Sequence, residues 1–255
     1  MKVKNTKYFK EFNDEIGICI FNKVPQNRFL KKKEELNIKS NQKFVLRKEI
    51  SQKSTGPKKN DKLINKETRI YNLKKKISIL ECGLKETATQ LVFSEGNINS
   101  KIMIIGDTPG SDEDRTGKPF SGKSGILLEN ILSSINLSKI NDCYLSNLIF
   151  WRPPGNRPPN KDEINICLPL TKEHISIIKP ELLVLLGGIT GKAILNIKDS
   201  VTKNRGKDLF YHYDNKQIPC KILFHPGFLL DNPIEKKNTW SDLKEIHNML
   251  KKYIK

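Results

Sequence analysis

No apolar run in this 255-residue chain reaches the ~20 residues that a helix needs to cross a bilayer. A helical membrane anchor is therefore excluded. The amino-terminal residues also lack the apolar core of a secretory signal, so export is not expected. Cysteine is sparse: the five stand at positions 19, 82, 143, 167 and 220, and no two form a CxxC pair. That spacing offers no disulfide framework, and a reducing, cytoplasmic compartment is the expectation. Missing too is the GxGxxG of a dinucleotide site; the GxxxxGK[ST] spacing does occur at Gly117–Ser124, but no apolar strand run leads directly into it, so no nucleotide-triphosphate loop is read there. Acidic charge is short at one end only. Residues 1–76 carry 22 Lys and Arg against 8 Asp and Glu, whereas residues 77–255 carry 24 against 20. Thus +14 of the net +18 lies in a basic arm, and the rest is nearly balanced.

What is present divides at about residue 70. Residues 38–69 are polar, basic and without hydrophobic period, which reads as a flexible linker. Residues 7–20 have apolar spacing enough for one short amphipathic helix. Residues 1–70 are accordingly expected to be a basic, largely flexible extension, a solvated tail in preference to a specific DNA-binding element. Residues 75–255 are expected to form the folded domain. Within it, Leu73–Leu84 spaces apolar residues like a helix. Four short apolar runs follow at Lys101–Gly106, Cys143–Phe150, Leu182–Gly187 and Pro219–Phe224. Helical patterns separate or follow them at Gly122–Ile135, Lys161–Ile178, Thr190–Leu195 and about Lys236–Ile254. Strands alternating with helices predict an α/β fold whose parallel sheet is covered on both faces. Ligands of such sheets sit beyond the carboxyl ends of the strands.

The strand ends carry the unusual residues. GDTPGSDEDRTGKPFSGKSG (106–125) puts five glycines and two prolines in one connection. Gly106, Pro109 and Gly110 allow a sharp turn close to a ligand. Ser121, Lys123 and Ser124 stand where a helix N-terminus can hold a phosphate. Phe120 is odd in so polar a loop and offers a stacking platform for a base. Asn147 lies inside an apolar strand, where its amide needs partners, either a neighbouring loop or a ligand. Arg152 and Arg157 flank a stiff proline-rich loop suited to clamping a backbone. His225 ends the last strand, followed by Phe228, Leu229 and Leu230, which must pack or wedge between bases.

Taken in order, GDTPGSDEDRTGKPFSGKSG, SNLIFWRPPGNRPP, KPELLVLLGG, NRG and HPGFLLDNP resemble the family 4, thermophile-type uracil-DNA glycosylases. The resemblance covers roughly residues 77–250. It implies a three-layer α/β/α fold with a four-stranded parallel central sheet, and removal of uracil from DNA as the first step of base-excision repair. It assigns His225 to uracil O2, Asn147 to the base edge and Phe120 to the ring face. Gly106–Gly110 would line the pocket and place the water. Ser124 and Arg205 would hold phosphates, and Leu229 or Leu230 would fill the gap left by the flipped nucleotide. The implied partner is uracil-containing DNA, met by a monomer that hands on to downstream repair enzymes.

Departures from the family pattern are specific. Asp107 stands for the usual Glu and Thr108 for a small Ala; Thr108 occupies the place where distant family 1 enzymes carry a water-orienting Asp. Gly227 and Asp231 replace a Ser and an Arg. The family's [4Fe–4S] cluster uses four cysteines, of which Cys82 and Cys167 match the second and fourth. Ile79 and Trp151 stand at the first and third, so no cofactor is expected, and Trp151 should fill the space near Ile79. The departures also keep two alternatives open: a homologue that grips DNA without cleaving, and a glycosylase for another deaminated base.

Overall fold

The computed structural model describes residues 65–214 and 216–253. The helix expected at 7–20 and the linker over 38–64 lie outside them. The linker's last residues are helical instead: α1 runs Lys66–Ser78, with Asn65 accepting a hydrogen bond from the Glu67 N–H at its start. Its Leu73 and Ile77, one turn apart, are fully buried, so the folded unit begins some ten residues before the expected boundary. The single helix expected over Leu73–Leu84 is broken at Ile79–Cys82 and resumes as α2, Gly83–Thr87.

The sheet has six strands: β1 (Ser94–Gly96), β2 (Ile102–Gly106), β3 (Cys143–Asn147), β4 (Leu182–Leu186), β5 (Leu209–Tyr213) and β6 (Lys216–Leu223). Their order is β1-β3-β2-β4-β6-β5. The central four are parallel and coincide with the four predicted runs. Antiparallel edges, β1 on β3 and β5 on β6, complete it. Neither edge was anticipated.

Seven further helices lie on or between the strands: α3 (Ser111–Thr116), α4 (Lys123–Ser133), α5 (Lys161–Ile178), α6 (Gly188–Leu195), α7 (Val201–Asn204), α8 (Pro226–Asp231) and α9 (Lys236–Tyr253). Alternation along the strands divides the core in two. Ile102 and Ile104 share a cluster with Leu128 and Leu132 of α4 and Leu243 and Ile246 of α9. Met103 and Ile105 face the other way, toward α1, α5 and α6. Hence the three layers, with the central strands β2, β3 and β4 buried on both sides. On the α5 side, His174 is fully buried, stacked on Phe93 (centroids 4.7 Å apart) and hydrogen-bonded through Nε2 to the Tyr144 hydroxyl at 2.8 Å. Burial pushes its pKa down to about 3, so it stays neutral.

Candidate active site

The carboxyl ends of β2, β3 and β6 converge on a cavity of about 130 Å³. That is below the ~300–1,000 Å³ of sites for drug-sized ligands and suits one base. A wider hollow of about 600 Å³ opens beside Lys179–Glu181 and the β5–β6 hairpin. It lies where the chain enters β4, the end of a parallel sheet at which ligands are not expected.

Most of the predicted pocket residues meet here: Thr108, Pro109, Gly110, Phe120, Ser124, Asn147 and His225 all line the cavity. Gly106 lies directly beneath. A Cβ there would stand 2.6 Å from Asn147 Oδ1 and 2.7 Å from Phe120 Cζ, so only glycine lets both side chains approach the strand end. Phe120 adopts φ +54°, a backbone state few non-glycine residues accept. Its carbonyl is held by Lys139 Nζ at 3.3 Å, and Gly125 gives that carbonyl room. Its ring stands 6.1 Å from that of His225, tilted 31°.

His225 precedes α8, and its Nδ1 accepts the Gly227 N–H at 3.1 Å. A neutral ring so held carries its proton on Nε2, leaving that N–H as the donor. Burial lowers the pKa of His225, against the charges of Asp107 and Glu113, which raise it.

Asp107 does not line the cavity. Its Oδ1 accepts the Thr190 N–H at 2.8 Å and the Thr190 hydroxyl, at the start of α6. Gly187, the residue capping α6, has no side chain to offer, and Asp107 supplies the acceptor from the neighbouring strand. Burial raises the Asp107 pKa, opposed by the Thr190 hydrogen bonds and by His225.

Three residues were missed by sequence reasoning. Glu113 is buried, lines the cavity and accepts the Gly110 N–H at 3.0 Å. Asn156 lines the rim and accepts from Arg152 Nε at 2.7 Å. Thr190 is the third. For Glu113 the capping-box spacing from Gly110 was a usable signal; for the other two there was none.

The family model "Uracil DNA glycosylase superfamily" matches residues 93–244. A type-4 uracil-DNA glycosylase of Sulfurisphaera tokodaii is 35% identical over 177 residues, covering 68% of this chain and 80% of that protein. The type-4 enzymes of Archaeoglobus fulgidus and Thermotoga maritima are 32% and 33% identical over 174 residues, covering 87% and 88% of their lengths. The chain belongs to the type-4 uracil-DNA glycosylase family.

In this glycosylase the expected DNA-contact residues divide. Ser124 lines the cavity, and Lys123 is exposed in the first turn of α4. Arg157 instead pairs with both Glu163 oxygens, at 3.0 and 2.6 Å. Arg205 pairs with both Asp242 oxygens at 3.0 Å, and its side chain is largely buried. Both forks are thus paired within the chain; Arg157 stays exposed on the surface, whereas Arg205 is too deeply held for the expected phosphate role. Leu229 corrects a further expectation: it is 0% exposed and packs between α4 and α9, so it cannot wedge into DNA. Leu230 and Phe228, 40% and 42% exposed, remain on the surface.

The positions matching the family's cluster ligands hold two thiols where four are required. Cys82 and Cys167 are buried and in contact, and burial pushes the Cys167 thiol up to about 12. Trp151 is 3% exposed and packs edge-on against Phe150. Ile79 is 72% exposed, so the expected packing of Trp151 near it is replaced by packing on Phe150. These residues do not fit a [4Fe–4S] cluster.

Proposed function

We propose that the enzyme hydrolyses the N-glycosidic bond of a uracil flipped out of DNA, initiating base-excision repair. The observation that carries this reading is the meeting of three groups round a one-base cavity: the Asn147 amide, the Phe120 ring and the His225 Nε2–H. A base must leave the stack to enter, at a cost of a few kcal/mol. Stacked on Phe120, uracil presents O4 to the Asn147 N–H and its N3–H to the Asn147 carbonyl. Cytosine, with a donor at C4 and no N3–H, mismatches both.

As the C1′–N1 bond breaks, its electron pair goes to uracil and the sugar becomes cationic. The neutral His225 donates Nε2–H to O2 and stabilises the growing negative charge. Water adds its oxygen to C1′, and the proton it releases is balanced by the one the uracil anion takes up, so an abasic sugar and neutral uracil leave. Thr108, Glu113 and Asn156, the polar side chains beside the cavity, orient that water. Asp107 acts by position and charge, without touching substrate.

On the DNA side, Ser124, Lys123 and Arg152 grip phosphates, while Leu230 fills the vacated stack. The basic residues 1–70 add a salt-sensitive, sequence-independent attraction. The enzyme works as a monomer in the cytoplasm, passes an abasic site to repair enzymes and carries no iron–sulfur cluster. Among the described residues no helix is long and apolar enough to cross a membrane.

The test is incubation of the full chain with a uracil-containing oligonucleotide, then alkali and a sizing gel. Cleavage at uracil but not at cytosine, thymine or hypoxanthine is expected. Binding without cleavage would refute the reading, as would preference for another base.

A further inference from the structure

The geometry points to Thr190 as a positioning residue of the reaction, one that anchors Asp107 beside His225 and pins the pocket loop without touching substrate. The inference rests on the excision reading above.

Thr190 is fully buried and makes three contacts at the end of β2. Its N–H and its hydroxyl both meet Asp107 Oδ1, and the hydroxyl lies 2.9 Å from the Gly106 carbonyl. The hydroxyl has one proton for two acceptors, and the shorter contact, to the Asp107 carboxylate at 2.5 Å, is the one it serves when that group is ionised. The site is shaped for this pairing. At Gly187, φ is +106°, and a Cβ there would overlap the Asp107 carboxylate. The open cap of α6 is thus filled from the end of β2, and one threonine fastens Asp107, the residue that leads into the Thr108–Gly110 wall of the cavity.

The charges round this centre are few. The groups acting on Asp107 are Thr190 and His225, and the charges acting on His225 are Asp107 and Glu113. Burial favours the protonated carboxyl, and the two Thr190 donors favour the carboxylate. In its ionised form Asp107 is a fixed negative charge on the His225 side of the cavity, where the sugar turns cationic in the excision reading. The sign follows. Activity requiring ionised Asp107 falls as pH drops through that group's pKa, and loss of the threonine hydroxyl raises the pKa. The acid limb of the rate profile then moves to higher pH. A hydrogen bond to a charged group corresponds to a shift of about one to two pH units.

Single-turnover excision on a uracil oligonucleotide, followed from acid to neutral pH, tests this on the full chain with Thr190→Val, Thr190→Ser, Asp107→Asn and the Val/Asn double variant. Thr190→Val should shift the acid limb upward with KM little changed, and Thr190→Ser should restore the original profile. Asp107→Asn should lack that limb, and Thr190→Val should add nothing to it. A Thr190→Val profile that overlays the original, or a shift that persists with Asn at 107, overturns the proposal. Carboxyl-carbon NMR titration of Asp107 in the original and Thr190→Val proteins separates the two claims. If the unmodified chain excises no uracil, the excision reading fails. An unchanged Asp107 titration in the variant sinks the role of Thr190 alone.

Discussion

Gly106→Ala is the smallest change that should disable the pocket. Backbone freedom is not at issue, since Gly106 is absent from the positive-φ residues. The effect is steric. The new methyl would lie 2.6 Å from Asn147 Oδ1 and 2.7 Å from Phe120 Cζ, against 3.4 Å for ordinary contact. Either the two side-chain tips retreat by about 0.7–0.8 Å or the strand end shifts, and both side chains are buried, which leaves them little room to swing away. Overpacking of this kind typically costs about 1–3 kcal/mol of stability, which the buried sheet should survive. Catalysis is less tolerant, since a misplacement of ~1 Å can lower a rate ~10²-fold. A folded protein with a modestly reduced melting temperature and single-turnover excision down about a hundredfold is therefore expected. Unchanged excision in a folded Gly106→Ala protein would refute the placement of Asn147 and Phe120 about the base.

The central sheet was legible because strands buried on both faces read as unbroken apolar runs, as Ile102–Ile105 and Leu182–Leu186 do. The edges were not: β1 is only Ser-Glu-Gly, and β5 alternates exposed and buried residues in LFYHY without an apolar run. The polar helix α3, SDEDRT, was hidden in what read as a glycine-rich loop. Asn147, Phe120 and His225 could be picked out because each is out of place locally: an amide in a buried strand, an aromatic in a polar loop, a histidine at a strand end. Partnerships across the chain left no such mark. Asp107 and Thr190 are 83 residues apart, and Arg205 and Asp242 are 37 apart. Nor could α8, six residues long, reveal by periodicity that Leu229 faces inward and Leu230 outward.

Four further outcomes can be checked. His225→Ala should lower excision about 10²–10³-fold with DNA affinity retained, as for loss of one donor to a developing anion; wild-type rates would remove His225 from the chemistry. Leu229→Ala should cost about 2–5 kcal/mol in denaturant melts, whereas Leu230→Ala should spare stability and weaken excision from duplex more than from single strands; the reverse pattern would invert the two roles. His174, neutral with its pKa near 3 against 6.5 when exposed, contributes stability that is full above pH 6.5 and lost as pH falls toward 3. At pH 5 the loss is about 2 kcal/mol, and His174→Phe should remove one proton's worth of that slope; an unaltered slope would refute it. The last outcome concerns iron. A cluster of this family's type needs four thiolates. Here the third position is a buried tryptophan packed on Phe150 and the first is an exposed isoleucine, neither of which can ligate iron. Cys143 and Cys220 sit inside β3 and β6, fully buried within the sheet. Protein purified without air should therefore be colourless and lack stoichiometric iron and sulfide, with its melting temperature unmoved by chelator. A brown preparation carrying about four irons per chain would require Trp151 to leave the core and two ligands from elsewhere, and would overturn this packing.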